Sequence, residues 1–184
     1  MKFIDPAHDA WHTIGGEDGP IPTPSPKAGA LLTLEQWHAV RDHWPADLKV
    51  GVIAPNTLDV ETLAKDLPRI AVIALQFPKW TDGRAYSQAR VLRTRLRFDG
   101  EVRATGDVLV DMLPLLHRTG VDAVVLRHDQ KLDSAQRALR FFAGHYQGDV
   151  HEGRPAFGRD TAADLARDAA ARRERAEADA GQGI

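Results

Sequence analysis

The chain of 184 residues contains no cysteine. Without a thiol it cannot form a disulfide, a thiolate zinc site, a cysteine-bound iron–sulfur cluster or a cysteine nucleophile. Long apolar runs are also missing: the N-terminal segment "MKFIDPAHDAW" has no apolar core of the length that a secretory signal requires, and no stretch approaches a membrane-spanning helix. These absences predict a cytoplasmic protein without membrane association.

The chain has no excess of one charge sign and no familiar cofactor signature. Its formal net charge is −2, with acidic and basic residues spread along most of the sequence. That balance gives no general attraction to nucleic acid or to membranes. There is no complete P-loop, no dinucleotide-binding GxGxxG, no nucleophile elbow and no zinc-protease motif, and the histidines form no persuasive ligand set. We therefore expect no metal, no bound cofactor and no nucleic-acid partner.

The N-terminal part of the chain is punctuated by glycine and proline. Residues 15–30, "GGEDGPIPTPSPKAGA", are so rich in both that neither a helix nor a central strand can run through them. We interpret residues 1–30 as an N-terminal extension and linker, in which "KFI" can form a short strand. A helix is predicted after Thr33, because Thr33 and Gln36 have the spacing of a capping box.

Short β-branched runs alternate with helix-like stretches after residue 49. The runs are "KVGVIA", "IAVIAL", "EVRAT" and "DAVVLR"; the helix-like stretches are "NTLDVETLAKDL", "DGRAYSQARVLRTRL", "GDVLVDMLPLLHRTG" and "DSAQRALRFFAGHY". Asn56 and Asp107 are the expected helix caps, and Gly120 is expected to close the third helix. This alternation predicts an α/β fold with an open, mostly parallel sheet built from successive βα units, whose nearly continuous apolar runs are typical of a sheet covered by helices on both faces.

The number of units limits the architecture. A closed eight-stranded barrel needs roughly 250 residues, so residues 31–158 are predicted to form a single α/β domain that is either half-barrel-like or doubly wound. Residues 159–184 form a charged tail with few large apolar residues, which indicates a solvated helix or a disordered segment. A helix that binds a partner or forms a homo-oligomer is the alternative for this tail.

Polar residues follow each apolar run, and in a parallel sheet they gather at one edge, where ligands of open α/β proteins bind. In "FPKWTDGRAYSQAR", Asp82 can accept hydrogen bonds from the amides of the first helical turn, Gly83 allows a close backbone approach, and Arg84 lies where an anion would be bound at a helix N-terminus. The candidate ligand-binding residues are Lys79, Asp82, Gly83, Arg84, Ser87, Arg90, Gly106 and Asp107. Helix capping remains the alternative role for Asp82.

Catalytic candidates come from the same edge. Asp107 can act as a general base if its carboxylate faces the edge, with Lys79 and His128 as further candidates; capping alone is the alternative for Asp107. In the helix after the second run, arginines recur on a face away from its apolar stripe, at Arg90, Arg93 and Arg97. This recurrence predicts a solvated basic face.

The joined stretches "DGRAYSQAR", "GEVRATGDVL" and "HRTGVDA", followed by "FFAGHYQG", resemble a bacterial family catalogued as domain of unknown function 934. Its members commonly lie beside genes for assimilatory sulfite or nitrite reduction and are often labelled as oxidoreductases of sulfite reduction. The family pattern falls on Phe77, Asp82, Gly83, Arg84, Ser87, Ala89, Arg90, Gly100, Glu101, Arg103, Gly106, Asp107, Arg118, Gly120 and Asp122. Thr119 stands where relatives often have cysteine, and Val121 where an aromatic residue often follows the glycine.

This resemblance implies a place in sulfite or sulfate assimilation, but the chain is not the reductase. Six-electron reduction of sulfite needs sirohaem and an iron–sulfur cluster, which no cysteine is present to hold. We therefore expect an accessory protein that binds a small oxyanion or the sulfite or nitrite reductase haemoprotein at the carboxyl edge of its sheet. The alternatives are a small enzyme that uses the Lys, Asp and Arg residues of that edge on an anionic substrate, and a structural or oligomer-forming protein.

Overall fold

The fold was obtained as a computed structural model, which describes residues 1–15, 19, 21–141, 145–158 and 160, and scattered positions between residues 162 and 177. The strands are β1 (Lys2–Phe3), β2 (His12–Thr13), β3 (Ala30–Thr33), β4 (Val50–Ala54), β5 (Ile70–Phe77), β6 (Glu101–Gly106) and β7 (Ala123–Val124). The α-helices are α1 (Leu34–Val40), α2 (Arg84–Thr94), α3 (Leu113–Thr119) and α4 (Leu132–Phe141). Short 3-10 turns span Val60–Leu63, Leu67–Arg69, Val110–Met112 and Ala156–Gly158.

The seven strands form one parallel sheet in the order β1-β7-β6-β5-β4-β3-β2. From β2 to β7 each strand lies beside its predecessor in the chain, so the winding direction never reverses. β1 then pairs with β7 at the opposite edge from β2. The predicted open parallel α/β sheet is confirmed, and of the two forms left open it is the half-barrel-like one, because a doubly wound sheet requires a reversal of strand order.

The helices α1 to α4 pack against the same face of the sheet. Trp37 of α1, Leu92 of α2, Leu116 of α3 and Ala135 of α4 share one buried cluster with strand residues such as Leu75. The expectation that helices cover both faces was wrong for α1 to α4: with right-handed crossovers and no reversal of strand order, these helices fall on the same side. We call this side the outer face and the other side the inner face.

The inner face is covered in part by the N-terminal segment that runs between β1 and β2. Trp11 packs over Gly51 of β4, where a Cβ atom would lie 3.1 Å from Trp11 Cε3. Arg103 of β6 is almost fully buried and forms ion pairs with Asp9 of this segment and with Glu101 of its own strand. The sheet therefore extends to both sides of the predicted domain boundary at residue 31.

Local signals account for two helix ends. The capping box at α1 is confirmed: Thr33 Oγ1 accepts from the Gln36 amide at 3.1 Å, and Gln36 Oε1 accepts from the Thr33 amide at 2.9 Å. The Gln36 side-chain amide also donates to the carbonyl oxygens of Ile14 and Ile21, so α1 holds the residue before the glycine-rich stretch and one residue within it. Gly120 ends α3 with φ +98°, as predicted for a left-handed closing residue.

Two predicted helix starts were wrong. "NTLDVETLAKDL" is not an α-helix: it contains the 3-10 turn Val60–Leu63, whose cap is Asp59 rather than Asn56. The helix that was predicted to start at Asp107 is α3. It begins at Leu113, six residues after Asp107, and has a proline in its first turn. A proline fits the first turn of a helix without loss of a hydrogen bond, so it favours this later start. Neither Asn56 nor Asp107 is therefore a helix cap.

Arg93 was also predicted wrongly, since its side chain is not solvated. It is 17% exposed and donates to the carbonyl oxygens of Gly120 at 3.0 Å and Gly100 at 2.8 Å, and it forms an ion pair with Asp122. Arg93 thus joins α2 to the start of β6 and to the end of α3. By contrast, Arg90 and Arg97 are exposed, as the predicted basic face requires.

The part of the chain beyond α4 is described incompletely. Residues 142–144, within the predicted "FFAGHY" helix end, lie outside the described residues. Residues 147–151 are held against the end of α3, where Arg118 pairs with Asp149 and the His151 ring stacks on His117 at a centroid distance of 4.4 Å. The described tail positions from 162 to 177 have helical backbone and are exposed. Among the described residues, no helix has the length and apolarity needed to cross a bilayer.

Candidate functional site

The loops that follow β4 to β7 meet at the carboxyl edge of the sheet and form two hydrogen-bonded clusters. The first cluster joins the loops after β4 and β5. Asn56 Nδ2 donates to Asp82 Oδ2 at 2.7 Å, and Arg84 donates to both carboxylate oxygens of Asp82, with Nη2 to Oδ2 at 2.6 Å and Nε to Oδ1 at 3.0 Å. Asp82 Oδ1 also accepts from the Arg84 backbone amide at 3.2 Å, so the predicted contact with a first-turn amide is present. The helix itself begins after Gly83.

The carboxyl group of Asp82 is held in its ionised form. Hydrogen bonds from the Arg84 side chain, followed by the Arg84 amide, lower the pKa of Asp82 from 3.8 to about 2, and Asn56 adds to this effect. Because the pKa is lower in the folded than in the unfolded protein, the stabilisation is complete above pH 3.8 and is lost as the pH falls through about 2. Asp82 is therefore an anchored anion across the neutral pH range.

The Asp82 titration provides a direct test of this first cluster. We expect a ¹³C NMR titration of the Asp82 carboxyl group to have its midpoint near pH 2 in the wild type, and to move up towards 3.8 in Arg84→Met, which removes the largest cause of the shift. Arg95→Met serves as the control, because Arg95 pairs with Glu61 and not with Asp82. An unchanged midpoint in Arg84→Met would contradict the geometry of this cluster.

The second cluster joins the loops after β5, β6 and β7 through Asp107. Asp107 Oδ2 accepts from the Trp80 backbone amide at 2.9 Å, and Asp107 Oδ1 accepts from Arg127 Nη1 at 2.6 Å. Arg127 also makes two hydrogen bonds of 2.7 Å to Asp129. The Trp80 amide and then Arg127 lower the pKa of Asp107, while Asp129 and then Asp107 raise the pKa of Arg127. All three charges are thus paired within the cluster.

Gly106 determines where Asp107 lies. Its φ of +96° is in the left-handed region, and a Cβ atom at this position would lie 2.5 Å from the carbonyl oxygen of Phe77. The next amide, that of Asp107, donates to the same Phe77 oxygen at 2.7 Å. Only glycine allows β6 to approach the end of β5 so closely with this backbone conformation. The tight turn predicted at Gly106 therefore brings the Asp107 carboxylate to the loop after β5.

The other predicted site residues lie at the surface of this edge. Lys79, Ser87, Arg90 and His128 are exposed, and within the described residues their side chains make no hydrogen bond or ion pair. The structure thus brings Asp82, Arg84 and Asp107 into ordered clusters and leaves these four side chains free to contact a ligand.

Several residues of the edge were not among the predicted ligand-binding residues. Arg127, Asp129 and Asn56 complete the two clusters, and Gln130 connects the second one to the Val110 amide at 3.0 Å. Gln76 is exposed on the inner face of β5, the central strand, opposite Thr105 of β6. The available signal was the polar Gln76 between the apolar run "IAVIAL" and Phe77. Such a residue is unusual because parallel strands in the middle of a sheet are normally apolar on both faces.

The carboxylates of the edge are held in their ionised form by hydrogen bonds. The pKa values of Asp82, Asp107 and Asp129 are all lowered, chiefly by hydrogen bonds to arginine or to a backbone amide. A general base works best with a pKa near the operating pH, which these lowered values do not provide. No group of three histidine or acidic residues that could hold a metal ion occurs in the part of the chain that the structure describes.

A groove of about 290 Å³ lies away from this edge. It is bounded by the Thr23–Pro26 loop and by the end of α1, and its lining is Thr23, Pro24, Ser25, Pro26, Ala39, Val40, His43 and Trp44. It contains no predicted site residue and no carboxylate or arginine. The groove therefore does not extend the two clusters.

The fold and the edge define a singly wound parallel α/β protein with a charged rim held together by the loops after its strands. The chain belongs to the family described as "Bacterial protein of unknown function (DUF934)", whose model matches residues 51–157, more than half of the chain. The match includes β5, β6, β7 and both clusters, while β1 to β3 lie outside it. No curated protein matches the chain.

Proposed function

We propose that this protein is an accessory protein of assimilatory sulfite or sulfate reduction and that the carboxyl edge of its sheet is its binding surface. The pathway is inferred from the resemblance of its sequence to a family found beside sulfite and nitrite reductase genes. One observation supports the surface: Lys79 and Arg90, which no described residue neutralises, flank Arg84, whose side chain is 56% exposed at the start of α2. Such an edge attracts anionic groups.

The state of the carboxylates favours binding over catalysis. Asp107, the candidate general base, already accepts hydrogen bonds from the Trp80 amide and from Arg127, and both contacts stabilise its ionised form. Proton abstraction by Asp107 would have to break this arrangement and would gain little driving force from a lowered pKa. The same contacts are well suited to hold the loop after β5 in one conformation for a partner.

Of the two ligand classes, a protein surface fits better than a free oxyanion. The Nε and Nη2 groups of Arg84, which would form a fork for sulfite or sulfate, already bind Asp82. A free oxyanion would have to displace that carboxylate, whereas a protein surface carries several acidic side chains, which can contact Lys79, Arg90 and the outer side of Arg84 separately. The reductase haemoprotein is accordingly the partner that we favour.

Binding measurements and a growth assay test this proposal together. We expect the wild-type protein to bind the purified cognate sulfite reductase haemoprotein in biolayer interferometry, and Lys79→Glu/Arg84→Glu to weaken that binding at least tenfold. Arg137→Glu/Arg140→Glu is the matched control, because both arginines are exposed on α4 and have no ion pair among the described residues. Calorimetry with sulfite and with sulfate measures whether the protein binds a free oxyanion.

A deletion strain supplies the biological readout, with slower growth expected on sulfate as the sole sulfur source. The proposal fails if neither the reductase nor sulfite nor sulfate binds and the deletion strain grows normally on sulfate.

A further inference from the structure

Exposed cations extend along the whole length of α2. The helix contains three arginines and no acidic residue. Arg84 and Arg90 are exposed and lie about 9 Å apart along the helix axis. Arg97 is exposed just beyond the end of the helix, and Lys79 just before its start. We call Lys79, Arg84, Arg90 and Arg97 the basic stripe.

Three of the four side chains in the basic stripe have no acidic partner among the described residues, unlike the neighbouring arginines of this region. Arg93 is used to hold α2 against β6 and α3, and Arg95 pairs with Glu61. Arg90 and Arg97 form no ion pair within the described residues, and neither does Lys79. Lys79, Arg90 and Arg97 therefore keep their positive charge available to another molecule, whereas the charge of Arg84 is paired with Asp82.

The backbone at Arg97 is a second, independent sign of function. Arg97 has φ +53°, and within the described residues it is the non-glycine residue with positive φ. This position, directly after a helix, is one where glycine or asparagine is preferred, because a Cβ atom makes the left-handed conformation costly. An arginine is thus present where its backbone conformation opposes folding, as is often found for residues that bind a partner.

Trp80 supplies an apolar contact beside the stripe. Trp80 is 55% exposed, although its backbone amide donates a hydrogen bond of 2.9 Å to Asp107 Oδ2. Tryptophan and arginine are the residue types that most often carry the binding energy of protein interfaces. An exposed tryptophan next to Lys79, with its backbone fixed by Asp107, is therefore a suitable anchor for a protein partner.

We infer that the basic stripe and Trp80 form a docking surface for an acidic protein surface; this inference rests on the proposed function, in which the partner is the reductase. Nucleic acid fits the surface less well. Two exposed acidic residues lie beside the stripe: Glu61 pairs with Arg95, and Asp99 comes two residues after Arg97. The chain as a whole carries a net charge of −2. The closely and evenly spaced phosphates of a duplex would bring negative charge against these groups, whereas carboxylates on a polypeptide can be placed apart from them.

The test uses full-length Arg90→Glu/Arg97→Glu, with Arg137→Glu/Arg140→Glu as the charge-matched control. We expect the stripe variant to bind the cognate sulfite reductase haemoprotein at least tenfold more weakly than the wild type, and the control to stay within twofold. Wild-type affinity should fall between 50 and 200 mM NaCl, since exposed charges are screened over about 10 Å at 0.1 M salt. Trp80→Ala should also weaken binding at least tenfold.

Arg97→Gly distinguishes a docking role from damage to the fold. Relief of the positive φ should raise the melting temperature by roughly 2–4 °C, while loss of the charge should weaken binding to the haemoprotein several-fold. A variant that is both more stable and a weaker binder supports the inference. A variant that binds as well as the wild type overturns the assignment of Arg97 to the surface.

A second probe separates failure of this inference from failure of the proposed function. Retention on immobilised poly-L-glutamate should be lower for Arg90→Glu/Arg97→Glu than for the control, whether or not the reductase binds. Equal retention overturns the docking surface, as does stronger binding of the wild type to a 20-base-pair DNA duplex than to poly-L-glutamate. If retention differs as expected but the haemoprotein does not bind, the proposed partner is wrong and the acidic-protein surface stands.

Discussion

Arg103→Met is expected to lower the free energy of unfolding by about 3–5 kcal/mol. The side chain of Arg103 is 3% exposed, and those of its partners Asp9 and Glu101 are 11% and 17% exposed. Methionine fills much of the same volume but leaves the Asp9 carboxylate without a counter-charge and Glu101 with only the exposed Lys2, at 3.4 Å. Urea denaturation followed by tryptophan fluorescence measures the loss. Arg95→Met is the control: the Arg95 side chain is 68% exposed in its ion pair with Glu61, so its removal should change the free energy of unfolding by no more than about 1 kcal/mol.

The triple variant Asp9→Asn/Glu101→Gln/Arg103→Met provides the internal check on this prediction. It removes the arginine together with the two carboxylate charges that Arg103 neutralises, so it should be more stable than Arg103→Met even though it carries two further substitutions. If the triple variant is the less stable of the two, unpaired buried charge is not the cause of the loss. An unchanged free energy of unfolding in Arg103→Met would show that the N-terminal segment leaves the inner face readily.

Gly106→Ala is expected to cost at least about 2–4 kcal/mol of unfolding free energy. The added Cβ atom would meet the Phe77 carbonyl oxygen at 2.5 Å, and the residue would have to keep φ +96°. Either response, a rotated backbone or a displaced β5 end, removes the hydrogen bond from the Asp107 amide to Phe77. The Asp107 contacts with Trp80 and Arg127 should weaken with it, so amide hydrogen exchange at Trp80 should be faster.

Gly83→Ala is the matched control at the same edge. Gly83 has φ −84°, and the nearest atom to an added Cβ is Tyr86 Cδ2 at 3.8 Å, an ordinary van der Waals distance. Its stability should therefore change by less than about 1 kcal/mol. Equal losses in Gly83→Ala and Gly106→Ala would contradict the structural role assigned to Gly106.

Much of the fold could be predicted because local signals in the sequence agree with one another. The four apolar runs became β4 to β7, the capping box at Thr33 and Gln36 starts α1, and Gly120 ends α3. The predicted gathering of polar residues at the carboxyl edge follows from parallel topology alone. These features depend on periodicity and on backbone preferences, which short segments carry within themselves.

The parts that were mispredicted depend on residues far apart in the chain. Arg93 has the spacing of a solvated face, yet it is covered because the ends of β6 and α3 come to it. Asp107 resembles a helix cap, but the next helix starts later and Arg127, twenty residues on, provides its partner. Asn56 likewise binds Asp82 instead of capping a helix.

The sequence alone determined the class of fold, the family and the edge at which charged residues collect, because hydrophobic period, turn residues and strand direction are local or follow from simple topology. Only the tertiary structure decided that the sheet is singly wound, that the N-terminal segment covers its inner face through Asp9 and Arg103, and which charges at the edge are already paired. Those outcomes depend on contacts between distant side chains. Among the described residues, charge pairing leaves Lys79 and Arg90 unpaired towards this edge and Arg97 unpaired at the far end of α2.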